Sequence, residues 1–283
     1  MVATPIGNLC DISLRALHVL ALADAVACED TRHTQQMLRA YGIDKTSAQL
    51  IAVHQHNEAE AAVGVTSRLQ QGQRVAYVSD AGTPGISDPG ARLCAVLTGQ
   101  GLRCIPLPGA SSVTTLLSVA GIVEENGFIF HGFLPQKATE RLHAVQSLAA
   151  EQRAVVVLEA PHRIEALALA LSSLGRRTIT LGRELTKQFE EVASLEAHHL
   201  LAWLQADSNR LRGEFVLVLH PVAAAPTDGD NRRILELLLS ELPLKTAVRL
   251  AADITGAPRN QLYSIALALK NAGPDIQSDI PIA

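Results

Sequence analysis

Residues 78–90 read VSDAGTPGISDPG and gather three glycines, two prolines and two aspartates directly behind a short apolar run. Small residues at the carboxyl end of a strand let backbone approach a ligand closely, and open α/β sheets bind ligands there. Asp80, the first residue past the predicted strand over 75–79, can accept hydrogen bonds from a ligand hydroxyl or ammonium group. Asp88, just ahead of Pro89, has the spacing of a helix N-cap. The run contains neither the G-x-x-x-x-G-K-[ST] phosphate loop nor a G-x-G-x-x-G turn. Two further stretches have the same character. Residues 106–112 read PLPGASS, where Ser111 or Ser112 can cap a helix or hold a polar ligand edge, and residues 4–8 read TPIGN. Three such loops together describe a nucleotide-like pocket.

Several charged clusters stand at predicted strand ends: Glu29-Asp30-Thr31-Arg32, Glu159-Ala160-Pro161-His162-Arg163, Arg183-Glu184-Leu185-Thr186-Lys187, and residues 210–214. Each is either a salt-bridged corner or part of a site. His54-Gln55-His56 has metal-ligand character but lacks a third ligand at short spacing, so contact with a polar substrate is the better reading. G-x-S-x-G is missing and no cysteine neighbours a histidine. Group transfer from a reactive cofactor suits these residues, because alignment and desolvation carry most of that chemistry.

Such loops need strands that end together. Apolar runs predict strands over 25–28, 75–79 and 102–107, with helices over 14–23, 59–71, 89–99 and 111–120. This alternation implies a mostly parallel α/β domain over residues 1–122. A polar hinge near 121–127 leads into a second domain, 123–220. Its predicted strands cover 128–133, 154–158, 178–181, 189–195 and 215–219, with helices over 138–149, 161–174 and 195–206. The last three strands are close enough in sequence to pair antiparallel. Residues 221–230 read as a linker, and 231–283 as a helical domain with helices over 231–241, 244–255 and 258–270.

With 48% hydrophobic and 18% charged residues in 283, the chain is not disordered. A net charge of −4 gives no global field toward nucleic acid or anionic lipid. One tryptophan, three tyrosines and five phenylalanines are too few for rows of base-stacking rings. Four scattered cysteines imply neither a disulfide framework nor a structural zinc, which points to a cytoplasmic protein. Residues 13–27 imitate a signal peptide, yet Arg15, His18 and Asp24 interrupt them, and no membrane span is expected. Residues 231–270 alone carry a net +3, and their second and third helices resemble a helix-turn-helix. The plainer alternative is a helical hairpin that packs on the body.

The motifs TPIGNLCDI, CEDTRHT, SDAGTPGISDPG, GFLP, EAPHRI, RELTK, RGEFVLV and ELPLKTAVRLAADITG follow one another in an order that resembles the ribosomal RNA small subunit methyltransferase I family, within the tetrapyrrole methylase superfamily. The likeness covers nearly the whole chain. It implies a class III methyltransferase fold, two α/β domains with S-adenosylmethionine in the cleft between them, and a homodimer. It also implies 2′-O-methylation of a cytidine in the decoding region of 16S rRNA, within the small ribosomal subunit. By the same resemblance Pro5, Ile6, Ser79, Asp80, Thr83, Ser111 and Ser112 would hold the cofactor. Leu158, Ala160 and Leu185 would form the second domain's wall. No metal is implied. Glu159, His162 and Glu184 are the expected acid–base residues, since a ribose hydroxyl is a weak nucleophile.

Family members open on a fuller first strand ahead of the TPIGN loop, whereas this sequence opens Met1-Val2-Ala3. The expectation drawn from this is a translation start further upstream. Two other functions remain open at this stage. One is a small-molecule methyltransferase of the tetrapyrrole type, which the C-terminal helices and the RELTK and EAPHRI motifs disfavour. The other is a non-catalytic RNA-binding protein, which the intact cofactor loops disfavour.

Overall fold

A computed structural model of the chain describes residues 1–54, 57–123, 126–222 and 228–271. Two compact units result, Met1–Pro221 and Val222–Ala283.

The first half of the larger unit carries a parallel sheet in the order β2-β1-β3, from β1 (Ala25–Cys28), β2 (Leu50–Ala52) and β3 (Val75–Val78). Every residue of β1 is buried, as expected for a strand covered on both faces. The helices of this half are α1 (Leu14–Leu22), α2 (Thr31–Ala40), α3 (Glu58–Gln70) and α4 (Gly90–Gly99), and a fifth, α5 (Ser112–Val119), packs Val113 and Leu116 against Val156, Leu185 and Val216 of the second half. Helix α2 and strand β2 come from a stretch whose polar composition concealed them. Asp30 starts α2, its Oδ1 accepting the N–H groups of Arg32 and His33, and the helix then buries only Thr34, Met37 and Leu38.

Residues 102–107 do not form the expected strand. They lie against the Met1–Val2 segment, whose amino group donates to the Ile105 carbonyl at 3.0 Å. Val2 N–H donates to the Tyr77 carbonyl, Leu107 N–H donates to the Met1 carbonyl, and the pairing stops at the isolated bridge Val2↔Leu107. An apolar groove of about 390 Å³ runs beside β3, bordered by Val19, Leu69, Leu93, Leu97 and Ile105.

The second half holds a five-stranded sheet in the order β4-β5-β8-β6-β7. Its strands are β4 (Phe128–Phe133), β5 (Ala154–Glu159), β6 (Thr178–Arg183), β7 (Glu191–Glu196) and β8 (Phe215–Leu219). Only β4 and β5 run parallel, and the other pairs are antiparallel. Helices α6 (Ala138–Ser147), α7 (Ile164–Leu171) and α8 (Leu200–Gln205) pack Val145, Leu167, Leu171, Leu200 and Leu204 onto Val155, Val157, Ile179 and Leu217. Both α7 and α8 are shorter than the sequence pattern predicts, because 3-10 turns occupy Pro161–Arg163 and Ala197–His199.

The smaller unit consists of α9 (Asp228–Leu239), α10 (Leu244–Thr255) and α11 (Arg259–Asn271) around Leu235, Val248, Ala251, Leu262 and Ala266. Gly256 ends α10 at φ +70°, a left-handed cap that glycine adopts without penalty. Most of the expected linker, residues 223–227, lies outside the described residues, as do Gln55 and His56. No described helix is long and apolar enough to cross a membrane.

Candidate functional site

The loops singled out by sequence converge inside the larger unit. Thr4 and Gly82 exchange backbone hydrogen bonds of 3.0 and 3.1 Å, which ties the loop at 4–8 to the loop after β3. The Thr83 hydroxyl donates to the Ala110 carbonyl at 2.9 Å, which ties that loop to the one ahead of α5. Gly82 sits at φ +81° with the Ile6 side chain against it, so a side chain there would strain the backbone and crowd the pocket. Asp88 is not the N-cap of α4 that its spacing predicts, because Pro89 holds that position; Asp88 Oδ1 instead accepts the Gly85 and Gly90 N–H groups at 2.9 Å and closes the loop onto the helix start.

The fourth side comes from the second half of the unit. Gly7 lies against Lys187 and Thr186, where any Cβ would overlap the lysine, and Asn8 N–H donates to the Thr186 hydroxyl at 3.1 Å. The 184–187 turn places two non-glycine residues at positive φ, Glu184 at 50° and Thr186 at 66°. Such strained backbone persists only where the surroundings over-determine it, and it clusters at sites.

These walls enclose a cleft of three adjoining lobes, of about 450, 290 and 400 Å³. All ten residues expected to hold a cofactor border it. Pro5 and Asp80 line the largest lobe. Ser79, Thr83 and Ser111 line the smallest, and Ala160 and Leu185 line the third. Asp80, Ser112 and Leu158 each border two lobes, and Ile6 borders all three. Ser111 occupies the N-cap position of α5, yet its hydroxyl makes no capping bond.

The three expected acid–base residues separate. Glu159, at the end of β5, borders the third lobe with a buried side chain; Arg163 Nε pairs with its Oε1 at 2.9 Å. Its Oε2 is buried with no hydrogen-bond partner. Glu184 stands behind the lining, where its Oε1 accepts from Lys187 Nζ at 2.8 Å and from Glu214 N–H at 2.9 Å. His162 is exposed on the Pro161–Arg163 turn and borders none of the lobes.

Four bordering residues carry more weight than the sequence gave them: Glu29, Phe133, Lys187 and Glu214. Glu29 stands in the smallest lobe with Asp80 and Asp88. Burial, then the charges of Asp80 and Asp88, raise its pKa to about 6. The smallest lobe is thus a negative pocket, whereas the third has mostly apolar walls of Ile6, Phe133, Leu158, Phe215 and Val216. In the largest lobe the Lys187 pKa is raised: burial opposes its charge, but hydrogen bonds to Glu184 and Glu214 outweigh it. Among the described residues one group, Glu196, His198 and His199, brings three metal-ligating atoms together, and none of the three borders the cleft.

The family model of tetrapyrrole (corrin/porphyrin) methylases matches residues 1–200, and that of the RsmI C-terminal HTH domain matches residues 225–270. The crystal structure of a cobalamin biosynthetic enzyme, cobalt precorrin-4 methyltransferase, shares the fold at a TM-score of 0.56. It has 15% identity and covers 77% of this chain and 92% of its own. The class is therefore a tetrapyrrole-methylase fold, two α/β halves enclosing a cleft, extended by a helical unit. Ribosomal RNA small subunit methyltransferase I of Escherichia coli O157:H7 is 44% identical over 94% of this chain and 93% of its own length. The protein of that name in Pseudomonas aeruginosa is 45% identical over 94% and 95%. The chain belongs to the ribosomal RNA small subunit methyltransferase I family.

Proposed function

We propose that this chain transfers a methyl group from S-adenosylmethionine to the ribose 2′-oxygen of a cytidine in 16S rRNA, acting as a homodimer on the small ribosomal subunit. The observation that carries the donor is the division of one cleft into a negative lobe and an apolar lobe with an orphaned carboxylate oxygen. A cationic, hydroxyl-rich ligand suits Asp80, Glu29 and the uncapped Ser111 hydroxyl. A flat ring bearing an amine suits the apolar lobe, where Glu159 Oε2 lacks a donor. When bound, S-adenosylmethionine supplies an electrophilic methyl group on a sulfonium centre.

The chain's own residues then align and exclude water. Ile6, Leu158 and Leu185 form the apolar wall, Ser79 and Thr83 fix the loop that presents Asp80, and the 184–187 turn closes the side facing α2. Glu159 serves in this reading as a holder of the ligand's amine, and Glu184 as the brace of Lys187 and Glu214. His162 has no role in it. The resemblance to the family carries the acceptor atom and the RNA substrate. The C-terminal unit supports an RNA substrate through its net +3 over residues 231–270 and its match to a helix-turn-helix family model.

The test of the donor site is Asp80→Asn, which keeps the size and one acceptor oxygen while removing the charge. Calorimetric titration is expected to show S-adenosylmethionine bound about tenfold more weakly, as for the loss of a charge-assisted hydrogen bond. Unchanged affinity would remove Asp80 from the site.

A further inference from the structure

Ile6 and Glu214 alone among the lining residues border all three lobes, and of the two only Glu214 can take up a proton. Glu214 stands immediately before β8, between the ends of β5 and β6, whose residues Glu159 and Arg183 both pair with Phe215. Its backbone is fixed from both sides: its N–H donates to Glu184 Oε1 at 2.9 Å and its carbonyl accepts the Glu184 N–H at 3.0 Å. Lys187 Nζ holds its Oε2 at 3.1 Å, and the side chain is 76% exposed at the cleft mouth. Its Oε1 makes no hydrogen bond to the described residues. Gly213, at φ +94°, leaves room only for the Glu184 side chain beside it, so neighbouring backbone is shaped around this contact. The contact with Lys187 engages one carboxylate oxygen of a residue that lines each of the three lobes.

We propose that Glu214 is the proton acceptor for the ribose hydroxyl, held in place by Lys187 and Glu184 as positioning residues. As the new oxygen–carbon bond forms, the sulfur–methyl bond breaks and its electron pair stays on sulfur, leaving a neutral thioether. The hydroxyl proton moves to Glu214 Oε1, and the resulting carboxylic acid releases it to water at the exposed cleft mouth. This inference rests on the 2′-oxygen being the acceptor, and the experiment separates the two claims.

Wild-type, Glu214→Gln and Glu214→Asp proteins are each assayed in single turnover with saturating labelled S-adenosylmethionine and small ribosomal subunits, with cofactor and subunit affinities measured alongside. The expected result is label in a 2′-O-methylated nucleoside for the wild type. The Gln variant is expected to be slower by about a hundredfold or more, as for loss of a general base, with both affinities within about threefold of wild type. The Asp variant, which keeps a carboxylate, is expected to retain a rate between the two. A Gln variant within about threefold of the wild-type rate overturns the role of Glu214 while the 2′-O reading stands. So does one whose cofactor affinity falls in parallel with its rate, because Glu214 would then build the binding site. Wild-type label on a base atom overturns the acceptor reading and this inference with it.

Discussion

The hydroxyl of Thr83 donates to the carbonyl of Ala110 at 2.9 Å, and this bond makes one wall of two loops that lie 27 residues apart in sequence. With the backbone exchange between Thr4 and Gly82, it fixes the spacing of the three glycine-containing loops before any ligand arrives. Preorganisation of this kind lowers the ordering that binding would otherwise require.

Thr83→Val removes that bond while keeping the shape of the side chain. The expected outcome is S-adenosylmethionine affinity lower by about fivefold, roughly 1 kcal/mol, the usual net contribution of one such hydrogen bond. Calorimetric titration reads this directly, and an affinity within about twofold of wild type would show that the loops hold their spacing without it.

Glu29 makes a prediction about pH. Its pKa is raised from 4.5 to about 6, first by burial and then by the charges of Asp80 and Asp88. The folded protein therefore binds more protons than the unfolded chain across that window. Stability from this group is fully present below pH 4.5 and is lost as pH rises through about 6. Glu29→Gln should flatten this part of the stability–pH curve in urea titrations. A curve of unchanged slope would contradict the upward shift that burial, and then the charges of Asp80 and Asp88, give Glu29.

These relationships show what the sequence could reveal. The loop at 78–90 is legible because glycine, proline and aspartate cluster locally behind an apolar run, and its neighbours at 4–8 and 106–112 share that composition. All ten residues expected from these loops and from the family resemblance to hold a cofactor border the cleft. Helix α2 was illegible because only Thr34, Met37 and Leu38 are buried within a polar stretch. The prominence of Glu214 was illegible for a different reason. It comes from antiparallel pairing of β8 with both β5 and β6, a long-range relationship that leaves no local pattern. The orphaned Glu159 Oε2 likewise depends on where Arg163 places its guanidinium.

The C-terminal unit yields a third expectation. Arg232 pairs with Glu236, and Arg249 and Arg259 both approach Asp253, while Arg233, Lys245 and Lys270 are exposed with no ion pair among the described residues. Arg233→Glu combined with Lys245→Glu should weaken binding to small ribosomal subunits and lower the slope of log affinity against log salt by about one to two, since each lost phosphate contact removes about one released counterion. Cofactor affinity should not change. An unaltered salt slope would assign the helices a packing role instead.

The central claim is methyl transfer to a ribose oxygen of small-subunit RNA. It is tested most directly by incubating the protein with labelled S-adenosylmethionine and small subunits from a strain that lacks its gene, then digesting the RNA to nucleosides. The account predicts label in 2′-O-methylcytidine. Label in a base-methylated nucleoside, or none from protein that demonstrably binds the cofactor, would contradict it.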